Sequence, residues 1–409
     1  MTIRTMALVM LLLIASIGLV NAEDRYIIGF KSAEAQITAE CASLILHKAK
    51  VDTKIVKVCD KLKFAVIKTN ESIDSLRKKL SGLVAYIEPD YVAKAFYIPN
   101  DPYFKYQWNL RSINVTNAWD VTLGNESIVV AIIDTGIDYL HPDLNENYIS
   151  SGYDWVNNDT DPMDDNGHGT HCAGIVAAVI NNSVGIAGIA DVKIMAEKVL
   201  NESGIGYYSD IASGIVHAVD NGAKIISMSL GGENYSETLK NACLYAWNRG
   251  VLLVAASGND GSDRILYPAA YDTVIAVGSV NENDQLSWFS NYGNEQELVA
   301  PGEGILSTYY YNGLHAYASA SGTSMAAPHV AGVAALAWAT HPTFTNQQIR
   351  ELLRATAIDL GTSGWDKYYG YGKVDAYKAV IYVPPPIPEL NMALLVIVGI
   401  AIISLRKII

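Results

Sequence analysis

Ile128-Val-Val-Ala-Ile-Ile133 runs without a break into Asp134-Thr-Gly136, and this stretch decides the fold. Six apolar, mostly β-branched residues in a row read as a strand buried on both faces, because a half-exposed strand alternates apolar and polar residues. Four similar runs follow, at Lys193–Val199, Lys224–Met228, Val251–Ala256 and Val274–Val277, with helically spaced stretches between them. The pattern predicts an α/β domain of three layers: a mostly parallel sheet covered by helices on both faces. No internal repeat is evident.

Residues 25–93 read differently. Arg25–Phe30, Phe64–Ile67 and Val84–Ile87 look like strands, and Ser72–Leu80 has helical spacing. They predict a small α+β unit of about half the usual domain size, marginal alone. Ahead of it, Arg4, the apolar run Met6–Val20 and the small residue Ala22 describe a signal peptide over residues 1–22. An uncleaved anchor is the competing reading, and the run is short for a span. At the other end, Pro384-Pro385-Pro386-Ile387-Pro388 opens a stiff spacer over 384–391. Residues 392–409 form an apolar run closed by Arg406 and Lys407, a membrane anchor or a sorting signal. These ends predict an exported chain attached to the cell surface or membrane by a route left open.

The chain has 409 residues, room for two or three domains. Half of its residues are hydrophobic and 17% are charged, which excludes disorder as the main state. A net charge of −13 argues against a nucleic-acid partner. Cys41, Cys59, Cys172 and Cys243 are too few for a disulfide scaffold and lack metal-binding spacing.

Three motifs carry chemistry. Ala131-Ile-Ile-Asp134 is a strand ending in a carboxylate; Asn166-Gly-His168-Gly-Thr-His171 opens a helix; so does Ser321-Gly-Thr-Ser324-Met-Ala-Ala-Pro328. Singly, each has an ordinary structural role, the Asp as a turn residue and the Ser as a helix cap. Together they supply nucleophilic acyl transfer. A neutral serine hydroxyl needs an adjacent base, which His168 provides, and Asp134 orients and charge-stabilises the imidazole. Ser324 at a helix start lies beside free backbone N–H groups, and Asn259 in Ser257-Gly258-Asn259 is a second oxyanion donor.

These motifs, their order and the Ser-Gly-Asn segment resemble the subtilisin-like serine proteases, over about residues 100–380, with the thermitase-like branch closest in character. The resemblance implies a secreted or surface-tethered serine endopeptidase, with residues 97–383 as its catalytic domain. It implies that residues 23–96 are an inhibitory propeptide, removed by self-cleavage near Lys94–Tyr97. Extended peptide substrates would pair with Ser229, Leu230 and Gly231 on one side and Gly204 and Gly206 on the other, with Tyr208 lining a distant apolar pocket. Leu266 stands where relatives often have a small residue at the floor of the main pocket. Calcium is the implied cofactor. Its first site would take Asp101, Asp143, the Asn182 side chain and the carbonyls of Ile180, Val184 and Ile186. A second would take Asp154, Asn157, Asp159 and Asp161. The competing classes are an inactive surface binding protein on this scaffold and a small-molecule esterase.

Overall fold

The computed structural model describes residues 24–31, 38–91 and 97–384. The expected leader (1–22), part of the expected processing region (92–96), residues 385–391 of the spacer and the apolar run 392–409 lie outside the described residues. Among the described residues no helix is long and apolar enough to cross a membrane. The chain divides into two compact units, with the boundary between Ala95 and Phe96.

The first unit contains β1 (Asp24–Phe30), α1 (Ala39–Lys48), β2 (Lys54–Cys59), β3 (Phe64–Thr69), α2 (Ile73–Lys79) and β4 (Val84–Pro89). Its strands form an antiparallel sheet in the order β2-β3-β1-β4. Thr38 and Ser72 start the helices by accepting the N–H groups of Cys41 and Ser75. Ile28, Leu46, Ile67 and Leu76 form its buried core. β2 and α1 were not legible in the sequence. β2 has no fully buried residue, and α1 buries only Ala42 and Leu46, so neither carries a strong apolar pattern.

The second unit runs through α3 (Trp108–Ser112), α4 (Val115–Trp119), β5 (Val129–Asp134), β6 (Tyr153–Asp154), α5 (His168–Ala177) and β7 (Lys193–Lys198). It continues with α6 (Tyr208–Asp220), β8 (Ile225–Met228), α7 (Glu237–Asn248), β9 (Leu252–Ala256), β10 (Val274–Val280) and β11 (Gln296–Pro301). The hairpin β12 (Ile305–Tyr311) and β13 (Leu314–Ala320) then precedes α8 (Thr323–Thr340), α9 (Asn346–Thr356) and α10 (Ala376–Val380). Among the described residues seven strands form one sheet, β11-β10-β9-β8-β5-β7-β6, and every ladder is parallel.

The two-faced burial of β5 is explicit. Val130 and Ile132 join one apolar cluster, with α5 and α8. Ala131 and Ile133 join a second cluster on the opposite face, with α6 and α7. A period of two residues feeding two separate cores is why the segment carries no polar alternation. α8 is apolar all round and is buried accordingly. Ser324 is the only residue between Thr323 and Trp338 that is not buried. At Gly332 a Cβ would come 2.8 Å from that of Ile189, so α8 packs too closely there for any side chain.

From β5 the chain moves to one side for β7 and to the other for β8, a topological switch at the strands' carboxyl ends. Crevices at such switch points are where open α/β sheets bind ligands. Asp134 ends β5, Ser229 follows β8, and Asn259 lies just past β9.

Candidate active site

Asp134 is fully buried, and its Oδ1 accepts the Thr135 N–H at 2.8 Å and lies 2.7 Å from His168 Nδ1. His168 opens α5 after Gly167, whose φ of 103° is left-handed backbone that favours glycine. Burial opposes the imidazolium, but the charge and hydrogen bond of Asp134 outweigh it, and His168 is pushed above its ordinary value. Asp164, which sequence reasoning missed, sets this helix start. Its buried carboxylate accepts from Thr135 Oγ1, from the N–H groups of Asn166, Gly167 and Thr170, and from Thr170 Oγ1. The available signal was an Asp four residues ahead of a helix-opening His.

Ser324 is in the first turn of α8, where backbone N–H groups have no intrahelical acceptor. Pro328 has no N–H, so the Ser324 carbonyl four residues back is left without its helical donor. Ser229 Oγ donates to that carbonyl at 2.7 Å, and Cys172 Sγ donates at 3.4 Å. Ser324 Oγ in turn donates to the Ser229 carbonyl at 3.2 Å. This differs from the expected hydrogen bond to His168, which is not made. Such bonds are often long or misaligned without substrate.

Asn259 Oδ1 accepts from Thr323 N at 2.8 Å and Thr323 Oγ1 at 2.9 Å, which fixes the amide plane. A Cβ on Gly322 would lie 3.4 Å from Asn259 Nδ2 and 3.6 Å from Ser324 N, so these two donors are neighbours.

A cleft of 380 Å³ adjoins His168, with Gly204, Gly206, Tyr208, Ser229, Leu230 and Gly231 all on its wall. Leu266 lies outside this cleft. A Cβ on Gly231 would lie 3.0 Å from its Cβ, and one on Gly258 2.9 Å from its Cγ, so the leucine fills the space between those two glycines.

The first candidate metal loop is assembled. Asp101 accepts the N–H groups of Asn181 and Asn182. Asp143 accepts from Asn182 Nδ2, Ile186 N and Tyr317 Oη, the last another residue the sequence did not reveal. Asn182 Oδ1 takes the Val184 N–H, so loop residues 181–186 close around both carboxylates. Ile180 is half-buried at the loop's entry. Burial raises both acids, Asp143 to about 6, where the charge of Asp101 adds to the rise. No cationic side chain among the described residues pairs with either. Buried, uncompensated oxygen donors of this kind fit a hard divalent cation.

The second loop is different. Asp154 accepts from the N–H groups of Val156 and Asn157 and from Asn157 Nδ2. Asp159 accepts the Asp161 N–H, and Asp161 turns to Tyr139 Oη. Among the described residues the one group of three His, Cys, Asp or Glu side chains with all ligand atoms within 4.8 Å is Asp134, His168 and Cys172. The four cysteines are unpaired; burial pushes the Cys172 thiol well up, which leaves it a packed side chain and not a ready thiolate.

Residues 125–372 match the family model described as the Subtilase family. The chain is 47% identical over 326 residues to the thermophilic serine proteinase of Bacillus sp. (strain AK1), covering 79% of each chain. It is 48% identical over 288 residues to thermitase of Thermoactinomyces vulgaris, covering 70% of this chain and 100% of that one. A solved protease structure from Pseudoalteromonas arctica PAMC 21717 matches with a TM-score of 0.65 and 36% identity, covering 69% of this chain and 99% of that chain. The chain belongs to the subtilase family and is a serine endopeptidase of the thermitase-like kind.

Proposed function

We propose that the protein hydrolyses peptide bonds through Asp134, His168 and Ser324, with an acyl-enzyme intermediate. His168 takes the Ser324 proton as Oγ attacks the scissile carbonyl, then gives it to the leaving amine. Asp134 holds the proton-bearing Nδ1, so the other ring nitrogen faces the reaction, and its charge stabilises the imidazolium. Ser324 N and Asn259 Nδ2 donate to the oxyanion. Water then attacks the acyl carbonyl where the amine left while His168 takes its proton; the ester bond to Ser324 Oγ breaks, His168 returns the proton to Oγ, and the acyl group leaves as an acid. The observation that carries this reading is the 2.7 Å Asp134–His168 contact beside two neighbouring donors at the head of α8.

Ser229, Leu230 and Gly231, with Gly204 and Gly206 opposite, would hold the substrate as an added strand. Leu266 would restrict the main pocket to small side chains, leaving Tyr208 and Leu230 to favour apolar residues further along the peptide. Residues 23–96 would act as an intramolecular inhibitor released by self-cleavage, and residues 1–22 as an export signal. Attachment through residues 392–409 belongs to the same proposal. Asp101, Asp143, Asn182 and the carbonyls of Ile180, Val184 and Ile186 would hold Ca²⁺, whose charge offsets the buried carboxylates and fixes the loop. Asp154, Asn157, Asp159 and Asp161 would hold a second Ca²⁺ in the loop ahead of His168.

The test is labelling with a fluorophosphonate, followed by mass spectrometry of a casein digest. Labelling lost in Ser324→Ala is the expected result. An unlabelled parent chain that still folds would favour the binding-protein class instead.

A further inference from the structure

Lys198, the last residue of β7, is 1% exposed, an unusual place for a long basic side chain. All three donors of its ammonium are engaged. Nζ donates to the Thr135 carbonyl at 2.8 Å, to Asp165 Oδ1 at 2.7 Å and to the Leu200 carbonyl at 3.1 Å. Each acceptor belongs to a different piece of the site. Thr135 follows Asp134, Asp165 stands three residues before His168, and Leu200 begins the loop that reaches Gly204 and Gly206.

Other bonds make those pieces rigid. Val199 N and Leu200 N both donate to the Asp134 carbonyl, at 2.9 and 3.1 Å. Asn201 Oδ1 accepts from Ser203 N and Ile205 N, and Asn166 Nδ2 reaches the Glu202 carbonyl at 2.8 Å. We propose that Lys198 is a positioning residue, tying the strand end of Asp134, the loop of His168 and the peptide-pairing loop 200–206 into one body. The inference rests on the hydrolytic reading for its consequence, and on geometry alone for the tie.

Lys198→Met leaves the Thr135 and Leu200 carbonyls without this donor and so lowers stability, while Asp165 is half exposed and can be solvated. What an apolar residue cannot do is hold three oxygens from three loops at one point. A displacement of about 1 Å in a reacting group costs on the order of 100-fold in rate.

The experiment compares Lys198→Met with the parent sequence in two settings. In full-length Ser324→Ala, hydrogen exchange should quicken in both 165–168 and 201–206 by more than in the strands β8–β10, which a uniform loss of stability would not do. This readout needs no activity, so it stands even if fluorophosphonate labelling of the parent fails. In the active chain, kcat/KM should fall about 30-fold on an extended peptide and about 5-fold on a short ester that leaves loop 200–206 empty. Unchanged exchange in either segment, or a peptide-to-ester ratio within twofold of the parent, overturns the proposal. Should Lys198→Met not fold, Asp165→Ala, which removes one of the three acceptors outright, keeps the question open to refutation. It should lower kcat about threefold with KM and melting unchanged, and an unaltered kcat overturns the tie.

Discussion

Glu197 lies beside Lys198 in β7 but points to the opposite face, fully buried. Its Oε1 is 2.7 Å from His217 Nδ1 on α6, and its Oε2 accepts from Trp155 Nε1 at 2.9 Å. Burial raises its acid to about 7 from an ordinary 4.5, against the pull of His217 and Trp155 in the other direction. The folded value is the higher one. Protonation therefore stabilises the fold fully below about pH 4.5, and that contribution is lost as pH rises through about 7. A gap of this size corresponds to about 3 kcal/mol between the two limits. Glu197→Gln removes the titration and keeps both contacts, since the amide oxygen can accept from Trp155 and the amide nitrogen can donate to His217. The variant should match the parent near pH 5 and exceed it by about 3 kcal/mol at pH 8.5, roughly 6–10 °C in melting temperature. Melting curves of full-length Ser324→Ala, with and without the substitution, at fixed calcium and from pH 5 to 9, measure this without self-digestion. Parallel curves across that range, or a variant less stable at pH 8.5, would refute the reasoning.

Asn259→Ala should lower kcat about 10²–10³-fold with KM nearly unchanged, because its amide acts on the developing oxyanion; steady-state kinetics on a peptide amide checks it. Leu266→Ala should move the preferred residue before the scissile bond from small side chains toward Phe and Tyr. A peptide-library profile of the parent already dominated by Phe or Tyr would contradict the filled-pocket reading. Chelation with EDTA should lower the melting temperature and speed self-digestion, and Asp143→Asn should reduce the response to added Ca²⁺. A melt insensitive to both changes argues against the 181–186 site.

Much of the site was legible because its chemistry is local. Asp134, His168, Ser324 and Asn259 each sit where an apolar strand ends or a helix begins, and composition alone marks those places. The five expected core strands appear within one to three residues of their predicted ends, since double burial leaves an unmistakable apolar run. β6 and β11 escaped notice. The first is a two-residue strand, and the second, Gln296-Glu297-Leu298-Val299-Ala300-Pro301, buries polar groups that only a partner makes tolerable. That partner is Arg350, which contacts Glu297 through two nitrogens, 53 residues away in the chain. The hairpin β12–β13, rich in Tyr, Ser and Ala, is held by contacts such as Ser307 to the His171 carbonyl, again distant in sequence.

The amino-acid order alone determined which groups are available and which segments must be buried, because apolar periodicity and motif spacing are properties of neighbouring residues. Tertiary structure decided what those groups meet. Only packing shows that Pro328 frees a carbonyl for Ser229, that Leu266 fills the gap between Gly231 and Gly258, and that Tyr139 reaches across to Asp161. The physical reason is that a hydrogen bond or a filled cavity depends on where two separately encoded surfaces come to rest, and no single stretch of chain carries that information.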